Sequence, residues 1–213
     1  MTPKLLWMLL AIAPLAALPA CATPVTYSAE SIEGWIVDAE TKQPIEGAVV
    51  LADWVLEGST MVDFKFTRVG DLKILETITD QNGRFRFDAW GPITHWGRGL
   101  LTYMDPEIFV FKNGYEYQRL ANLPTKAAIE GKAGPVRRSE WNGKKIELKR
   151  FTGTPNERLR MLEKAIPAFE RREDYKQSRL LKAILAEKDL IPDSTEGKAP
   201  FFNNTVRRLL EGG

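Results

Sequence analysis

From Ser31 to Phe151 the chain consists of short apolar runs separated by Gly, Pro, Asn and Asp residues. This spacing is typical of an all-β domain, because each run supplies one strand and the residues between runs supply the turns. The run Ile108 to Phe111 predicts a strand buried on both faces, which ends at the turn sequence Asn113-Gly114. The strict alternation from Lys145 to Lys149 predicts a half-exposed last strand. The pattern therefore predicts a mainly β domain over residues 31–152.

One turn within this region has a strong local signal. Asp80-Gln81-Asn82-Gly83 lies between the short runs Thr77 to Thr79 and Arg84 to Phe87. The glycine supplies a positive φ, and the alternation places Phe85 and Phe87 on one face and the arginines on the other. The sequence predicts a β-hairpin here, with the two phenylalanines facing the core.

Beyond residue 153 the apolar residues repeat at helical spacing. Thr154 is a good N-cap, Pro155 suits the first helical position and Glu157 completes a capping box. A second helix is predicted after a cap at Asp174, and a third over residues 203–210. Residues 153–213 are therefore predicted to form a C-terminal helical extension. Its apolar stripe suits either packing on the β-domain or a partner-binding arm.

The first 20 residues differ in composition from the rest of the chain. Met1 to Lys4 make a short basic start, and Leu5 to Leu18 form an apolar run that is short for a membrane span. Small residues follow, so residues 1–20 have the three parts of an export signal. Leu18-Pro19-Ala20-Cys21 resembles the bacterial lipoprotein signal, which implies that Cys21 becomes a lipid-modified N-terminus.

The end of the signal determines how the protein is held in the cell. Lipidation at Cys21 predicts an outer-membrane lipoprotein that faces the periplasm, with residues 21–30 as a linker and the membrane contacted through the lipid. Ala20-Cys21-Ala22 also fits ordinary signal cleavage, which would release a soluble periplasmic protein. In either case the expected macromolecular partner is another envelope protein or a glycan.

The counts of cysteine, histidine and charge exclude several classes of protein. A single cysteine can form neither an internal disulfide nor a four-cysteine zinc site, and a single histidine cannot supply a multi-histidine metal site. A formal net charge of +2 argues against a nucleic-acid partner. The fold must therefore be stabilised by its apolar core, and no cofactor or metal is expected.

Three motifs in the β region belong together. Gly34 to Val50 contains an Asp38-Ala39-Glu40-Thr41-Lys42-Gln43-Pro44 turn between two apolar runs. Thr79-Asp80 through Gly83 to Phe87 is the second motif, and Phe109 to Phe111 followed by Gly114-Tyr115 is the third. Together they resemble the carboxypeptidase regulatory-like domain, with Lys42 in place of the glycine that is usual in the first turn. The resemblance implies a transthyretin-like β-sandwich of about seven strands.

What this resemblance implies about activity is mostly negative. In metallocarboxypeptidases the domain stands beside a zinc peptidase domain, whose histidines this chain lacks, since His95 is its only one. We therefore predict that the protein is not an enzyme. It would act as a binding, scaffolding or assembly module in the cell envelope.

The long connection from Asp88 to Pro106 is the candidate site. It is rich in aromatic and polar side chains, and the candidate ligand-binding residues are Trp90, His95, Trp96, Arg98 and Tyr103. Such a set suits stacking on sugar rings or gripping a peptide. The alternative is that the tryptophans cover an open end of the sandwich.

A second function fits the same connection. It would be an envelope hydrolase, or a carbohydrate-acting or carbohydrate-binding protein, with His95, Asp88 and Asp105 as the reacting residues. Asp53, Glu57 and Asp63 also bring carboxylates close in sequence, but their spacing predicts no site.

Overall fold

The computed structural model describes residues 24–59, 66–102, 104–123, 134–165 and 178–191. These residues form a β-sandwich followed by two helices, which confirms the predicted mainly β fold with a C-terminal helical segment. The strands are β1 Val25–Ala29, β2 Ile32–Asp38, β3 Val49–Ser59, β4 Phe66–Ile78, β5 Arg84–Phe87, β6 Trp90–His95, β7 Leu100–Leu101, β8 Glu107–Phe111, β9 Gln118–Leu120, β10 Val136–Arg137 and β11 Lys144–Leu148. The helices are α1 Pro155–Ala165 and α2 Arg179–Asp189.

The strands are distributed over three sheets. One has the order β10-β1-β6, the second has the order β11-β2-β5, and the third has the order β4-β3-β8-β9, with β7 also paired to β3. The third sheet is the largest, and β3 lies inside it between β4 and β8. Strand β3 is therefore paired along both edges, and its nearly continuous burial shows that both of its faces are covered as well.

Alternate residues of β3 belong to two separate cores. Val50, Ala52, Trp54 and Leu56 lie in the sandwich core, together with the predicted core residues Phe85 and Phe87. Val49 and Leu51 point to the opposite face, where side chains of β8, α1 and α2 form a second core: Phe109, Phe111, Leu162, Ala165, Leu180 and Ile184. We call this second surface the helix-covered face of the third sheet. The C-terminal helices thus pack on the sandwich.

The predicted hairpin at residues 77–87 is wrong. The turn itself forms, with Gly83 at φ +69° and the Asp80 carboxylate accepting hydrogen bonds from the backbone N–H groups of Asn82 and Arg84 at 2.9 Å each. The strands on either side separate, because β4 pairs with β3 whereas β5 pairs with β2. The turn therefore carries the chain from one sheet to another.

Two other segments contain more strand than the sequence predicted. The connection from Asp88 to Pro106 includes β6 and β7, and β1 lies within the segment predicted as a linker, 21–30. The described residues form eleven strands, more than the seven or so that the resemblance implied. The predictions for β8 and β11 are confirmed, because β8 is buried along Ile108 to Phe111 and β11 alternates between exposed and buried residues.

The turn after β2 holds the chain in a strained conformation. The buried Asp38 carboxylate accepts hydrogen bonds from the backbone N–H groups of Glu40 and Thr41 at 3.0 Å each. It also accepts a hydrogen bond from the Tyr115 hydroxyl at 3.0 Å and pairs with Arg150 at 2.9 Å. Lys42, two residues beyond Glu40, has φ +58° and is the only described residue other than glycine with a positive φ. A side chain at such a φ is strained.

The helix termini follow the sequence signals. The Glu157 carboxylate accepts a hydrogen bond from the Thr154 N–H at 2.7 Å, and the Thr154 hydroxyl accepts one from the Glu157 N–H at 3.3 Å, so the predicted capping box is confirmed. Helix α2 is capped by Ser178, four residues beyond the predicted cap at Asp174. Neither described helix is long and apolar enough to cross a lipid bilayer. Residues 1–20, Cys21, Tyr103, Asp174 and the predicted helix 203–210 lie outside the described residues.

Candidate functional site

The structure separates the residues predicted as a ligand site. Trp90 begins β6 and packs against the sandwich core, with its ring edge-on to Trp54 at a centroid distance of 5.2 Å. His95 ends the same strand, and its Nε2 lies 3.3 Å from the carbonyl oxygen of Arg98. Trp96 follows the strand with 71% of its surface exposed, and Arg98 is exposed beyond it. The tryptophans therefore lie at opposite ends of β6, one covering the core and the other in solvent.

The residues of the predicted hydrolytic site also have separate surroundings. Asp88 is exposed and pairs with Arg86 at 3.1 Å. Asp105 is buried and faces Arg137. The His95 side chain has one hydrogen-bond partner in the described part of the chain, the carbonyl oxygen of Arg98. The structure does not bring these three side chains together.

A charged cluster stands on the helix-covered face of the third sheet. It is formed by Asp53 of β3, Arg68 and Asp71 of β4, Glu107 of β8 and Arg119 of β9. Asp53 continues the row of Val49 and Leu51 along β3, and Glu107 is its partner in register on β8. Side chains of directly opposed residues lie about 5 Å apart at their Cβ atoms, so the two carboxyl groups are neighbours.

Two ion pairs join this cluster across the strands. Arg68 Nη2 donates to Asp53 Oδ2 at 2.7 Å and also pairs with Asp71. Arg119 binds the Glu107 carboxylate through two nitrogens, with Nε to Oε2 at 3.0 Å and Nη2 to Oε1 at 2.5 Å. The two-point contact orients both side chains of this second pair.

Asp53 is the buried member of the cluster. It is 1% exposed, and its Oδ1 has no hydrogen-bond partner among the described residues. Burial, and after it the neighbouring carboxylate of Asp71, raise the pKa of Asp53 to about 7 against the opposing effect of Arg68. Near neutral pH this carboxyl group is therefore divided between its protonated and ionised forms.

A second buried carboxyl group, Asp105, lies two residues before Glu107, at the start of β8. Burial raises the pKa of Asp105 to about 7, and Arg137 opposes the rise at an Nε to Oδ2 distance of 3.6 Å. The Arg137 guanidinium donates to the carbonyl oxygens of Leu101 and Thr102 at 3.0 and 3.3 Å and stands 5.1 Å above the Tyr27 ring. This pair links β10 to β7 and β1 and is surrounded by core residues.

The charged cluster was missed by reasoning from the sequence, although one signal was present. Asp53 is the one polar residue in the run from Val49 to Leu56. A carboxylate inside a buried strand is costly unless it is paired or protonated, so its position indicated a special environment. Within the described residues, no group of three or more His, Cys, Asp or Glu side chains could hold a metal ion.

Comparisons with known proteins give a remote structural likeness only. No family model and no curated protein matches the sequence. Solved structures that match include a catechol 1,2-dioxygenase mutant of Acinetobacter radioresistens, at 15% identity and a TM-score of 0.33 over 60% of this chain and 53% of that one. Another is a 3-chlorocatechol 1,2-dioxygenase of Rhodococcus opacus 1CP, at 17% identity and a TM-score of 0.32 over 59% of this chain and 61% of that one. The chain thus spans less than two thirds of the length of both neighbours.

These neighbours correct two predictions. They are enzymes, which contradicts both the expectation of a non-catalytic binding, scaffolding or assembly module and the expectation that the protein is not an enzyme. The residues of the hydrolytic or carbohydrate-acting alternative lie apart in the structure, which removes the basis for that alternative. At TM-scores of 0.33 and 0.32 the likeness assigns no chemistry to this chain.

Proposed function

We propose that the protein is an enzyme that transfers a proton through the Asp53 carboxyl group. The observation that carries the proposal is the buried Oδ1 of Asp53, which has no hydrogen-bond partner in the described part of the chain and lies beside a second carboxylate, Glu107, on the adjacent strand. A group that exchanges protons efficiently has a pKa near the working pH, and burial raises the pKa of Asp53 to about 7. Pairs of carboxyl groups in unlike surroundings are a common basis for acid and base roles.

The charges around Asp53 favour a small carboxylate as the substrate. Arg119 offers a planar guanidinium group whose fork matches a carboxylate, and it is more exposed than Glu107, its partner in the structure. A substrate carboxylate bound by Arg119 would replace Glu107 and release that side chain to act as a base. Substrate would enter from the Arg119 side of the cluster, because Asp53 itself is covered.

The reaction class that fits is enolisation of a 2-oxo carboxylate. The Asp53 carboxyl group donates its proton to the carbonyl oxygen while the Glu107 carboxylate removes a proton from the adjacent carbon. The electron pair of the broken C–H bond forms the C=C bond of the enol, so no redox partner is required. Reversal with a solvent-derived proton returns the oxo acid.

Exchange of carbon-bound hydrogen tests this proposal directly. Pyruvate in D₂O loses its methyl proton signal by NMR as exchange proceeds, and the protein should accelerate this loss above the buffer rate. Asp53→Asn should reduce the rate by about 100-fold or more, since positioned acid-base groups contribute about 10² to 10⁴. Asp105→Asn is the matched control, because Asp105 is equally buried but lies outside the cluster.

Two results would contradict the proposal. One is an exchange rate that does not exceed that of buffer, or that falls equally in the Asp53→Asn and Asp105→Asn proteins. The other is independent of any substrate: a ¹³C titration in which the Asp53 carboxyl group ionises at the ordinary pKa of an aspartate, 3.8, rather than near 7.

We also propose that the chain is a lipid-anchored envelope protein with a carboxypeptidase regulatory-like domain. The left-handed backbone of Lys42 supports the family assignment, because the family has glycine where this chain has lysine and the turn needs a positive φ. The anchor rests on the signal that precedes Cys21. Expression of the full chain in a bacterium should place it in the outer-membrane fraction, and Cys21→Ser should move it to the soluble periplasmic fraction. Equal fractionation of both proteins would contradict the anchor.

A further inference from the structure

Exposed apolar side chains lie close together at one end of the sandwich. Trp96, in the short segment between β6 and β7, is 71% exposed, and Leu100 at the start of β7 is 53% exposed. The exposed Val69 of β4 reaches the same segment, since a Cβ atom on Gly99 would stand 2.4 Å from Val69 Cγ2. We call Val69, Trp96 and Leu100 the apolar end patch. Exposed apolar side chains that are grouped, rather than scattered singly, are typical of an interaction surface.

Strand β1 brings the N-terminal side of the described chain to this patch. Val25 and His95 are directly opposed in the antiparallel pair of β1 and β6, so Pro24 and Trp96 lie at the same end of this pair. Cys21 stands four residues before Val25. Because an extended chain covers at most about 3.6 Å per residue, Cys21 is within about 14 Å of Val25.

A lipid on Cys21 therefore limits how the domain is oriented. Its acyl chains would hold Cys21 at the bilayer surface. A folded domain of about 100 residues has a radius of gyration of about 13 Å, so its full width exceeds the length of this tether. The end of the sandwich that carries Val25 and the apolar end patch is thus kept beside the bilayer, and the opposite end is kept farther away.

The residues at this end suit the surface of a lipid bilayer. Tryptophan is favoured at the boundary between lipid and water, because its ring is mostly apolar and its N–H still finds a polar partner. Arg98 is exposed between Trp96 and Leu100, and its long side chain suits contact with lipid phosphates. Residues 21–29 and 93–102 include no Asp or Glu, so these segments add no carboxylate that anionic lipids would repel.

We propose that the apolar end patch docks on the bilayer that holds the lipid anchor, with Trp96 inserted among the lipid headgroups. The proposal rests on the proposed anchor at Cys21 and extends it. The protein then contacts the membrane through its own side chains as well as through the lipid, and it has one preferred orientation there.

A chemical tether tests docking separately from lipidation. Pro24 is exposed and directly precedes β1, so Pro24→Cys in the Cys21→Ser chain gives a single thiol close to the natural attachment point. The exported protein is coupled through this thiol to a maleimide lipid in vesicles of phosphatidylethanolamine and phosphatidylglycerol. The vesicles also contain phospholipids with bromine on the acyl chains near the headgroups, which quenches tryptophan in contact with lipid. Trp96 is the only exposed tryptophan among the described residues.

Tryptophan emission of the tethered protein should be lower on brominated than on unbrominated vesicles, and Trp96→Phe should lose this quenching. Leu123 provides the control position, because it is 72% exposed and its N–H accepts its partner, Glu140, beyond the Ala29 end of β1. Trp96→Phe combined with Leu123→Trp should therefore show no quenching. Leu100→Glu keeps the reporter but should weaken docking about tenfold or more, through loss of apolar burial, whereas Leu123→Glu should leave docking unchanged.

The outcomes distinguish the docking surface from the anchor. An absence of quenching, quenching that persists in Trp96→Phe, or equal effects of Leu100→Glu and Leu123→Glu would each overturn the docking proposal. Lipidation is tested by the fractionation of the Cys21→Ser protein. If that test fails, the tethered protein still decides whether the patch docks, because the maleimide lipid supplies the attachment.

Discussion

Replacement of Lys42 by glycine should relieve the strain in the turn after β2. Lys42 has φ +58°, a conformation in which the Cβ atom of an L-residue crowds the following carbonyl oxygen. Its side chain makes one ion pair, with the Lys42 Nζ to Glu147 Oε1 distance at 2.7 Å, and more than half of each side chain is exposed. The substitution therefore removes a backbone strain and an exposed ion pair together.

The expected free energies can be compared term by term. Left-handed backbone costs a residue other than glycine about 1 to 2 kcal/mol. The greater freedom of glycine in the unfolded chain offsets about 0.5 to 1 kcal/mol of that gain. Loss of an exposed ion pair costs about 0.2 to 1 kcal/mol. Lys42→Gly and Lys42→Ala both lose the ion pair, so their difference reflects the strain less the freedom of glycine. The unfolding free energy of the glycine variant should therefore be larger than that of the alanine variant by about 0.5 to 1 kcal/mol, near the middle of these ranges.

Urea unfolding followed by tryptophan fluorescence measures this difference. Lys42→Gly should be more stable than Lys42→Ala. Thermal unfolding of the two proteins should give melting temperatures about 1 to 4 °C apart for a domain of this size. Glu147→Gln removes the ion pair but keeps the strain, so it gives the ion-pair contribution separately. A Lys42→Ala protein as stable as Lys42→Gly would refute the conclusion that the turn requires a left-handed residue.

Three further predictions concern the core, the helix cap and pH. Trp90→Ala should destabilise the fold by roughly 3 kcal/mol because Trp90 packs on Trp54, whereas Trp96→Ala should change the unfolding free energy by less than about 0.5 kcal/mol; equal losses in calorimetry would contradict their placement. Thr154→Ala should cost about 1 kcal/mol through loss of the α1 cap and Thr154→Ser should cost little, and equal costs would refute the cap. Asp53 and Asp105 bind a proton more tightly folded than unfolded, so the unfolding free energy should fall as pH rises from 3.8 to about 7, by at most about 1.4 kcal/mol per pH unit for each group. Urea titrations at several pH values in this range should show that the unfolding free energy of Asp53→Asn depends less steeply on pH. An unchanged pH dependence would show that Asp53 titrates normally.

Local signals in the sequence predicted local structure well. The Thr154 and Glu157 capping box, the buried run of β8 and the alternation of β11 all appear in the structure, because each depends on residues close together in the chain. The resemblance similarly placed a tight turn at Asp38 to Pro44. In each case the residues that determine the local structure lie within about one helical turn or one strand of each other.

Strand pairing was predicted poorly because it depends on distant residues. The turn at Asp80 to Gly83 fixes a reversal of the chain, but the partner of β5 is β2, about fifty residues before it. Strand β6 lies within the segment predicted as a long connection, 88–106, and its sequence contains Gly91 and Pro92, which are uncommon inside strands. A proline is tolerated there because β6 is an edge strand, paired with β1 on one side only.

The two buried carboxyl groups show why burial alone does not identify a functional residue. Asp105 faces Arg137, which binds the carbonyl oxygens of Leu101 and Thr102, so this ion pair stands where β10 is connected to β7. The backbone of Asp53 pairs with β4 and β8 irrespective of its side chain, and its partner Arg68 also pairs with Asp71. A buried ion pair of this kind is weak evidence for stability, since well-packed apolar side chains often stabilise a core more. The chain therefore keeps at Asp53 a group that costs stability near neutral pH without organising the fold, and this is the pattern expected where a carboxyl group is retained for its chemistry.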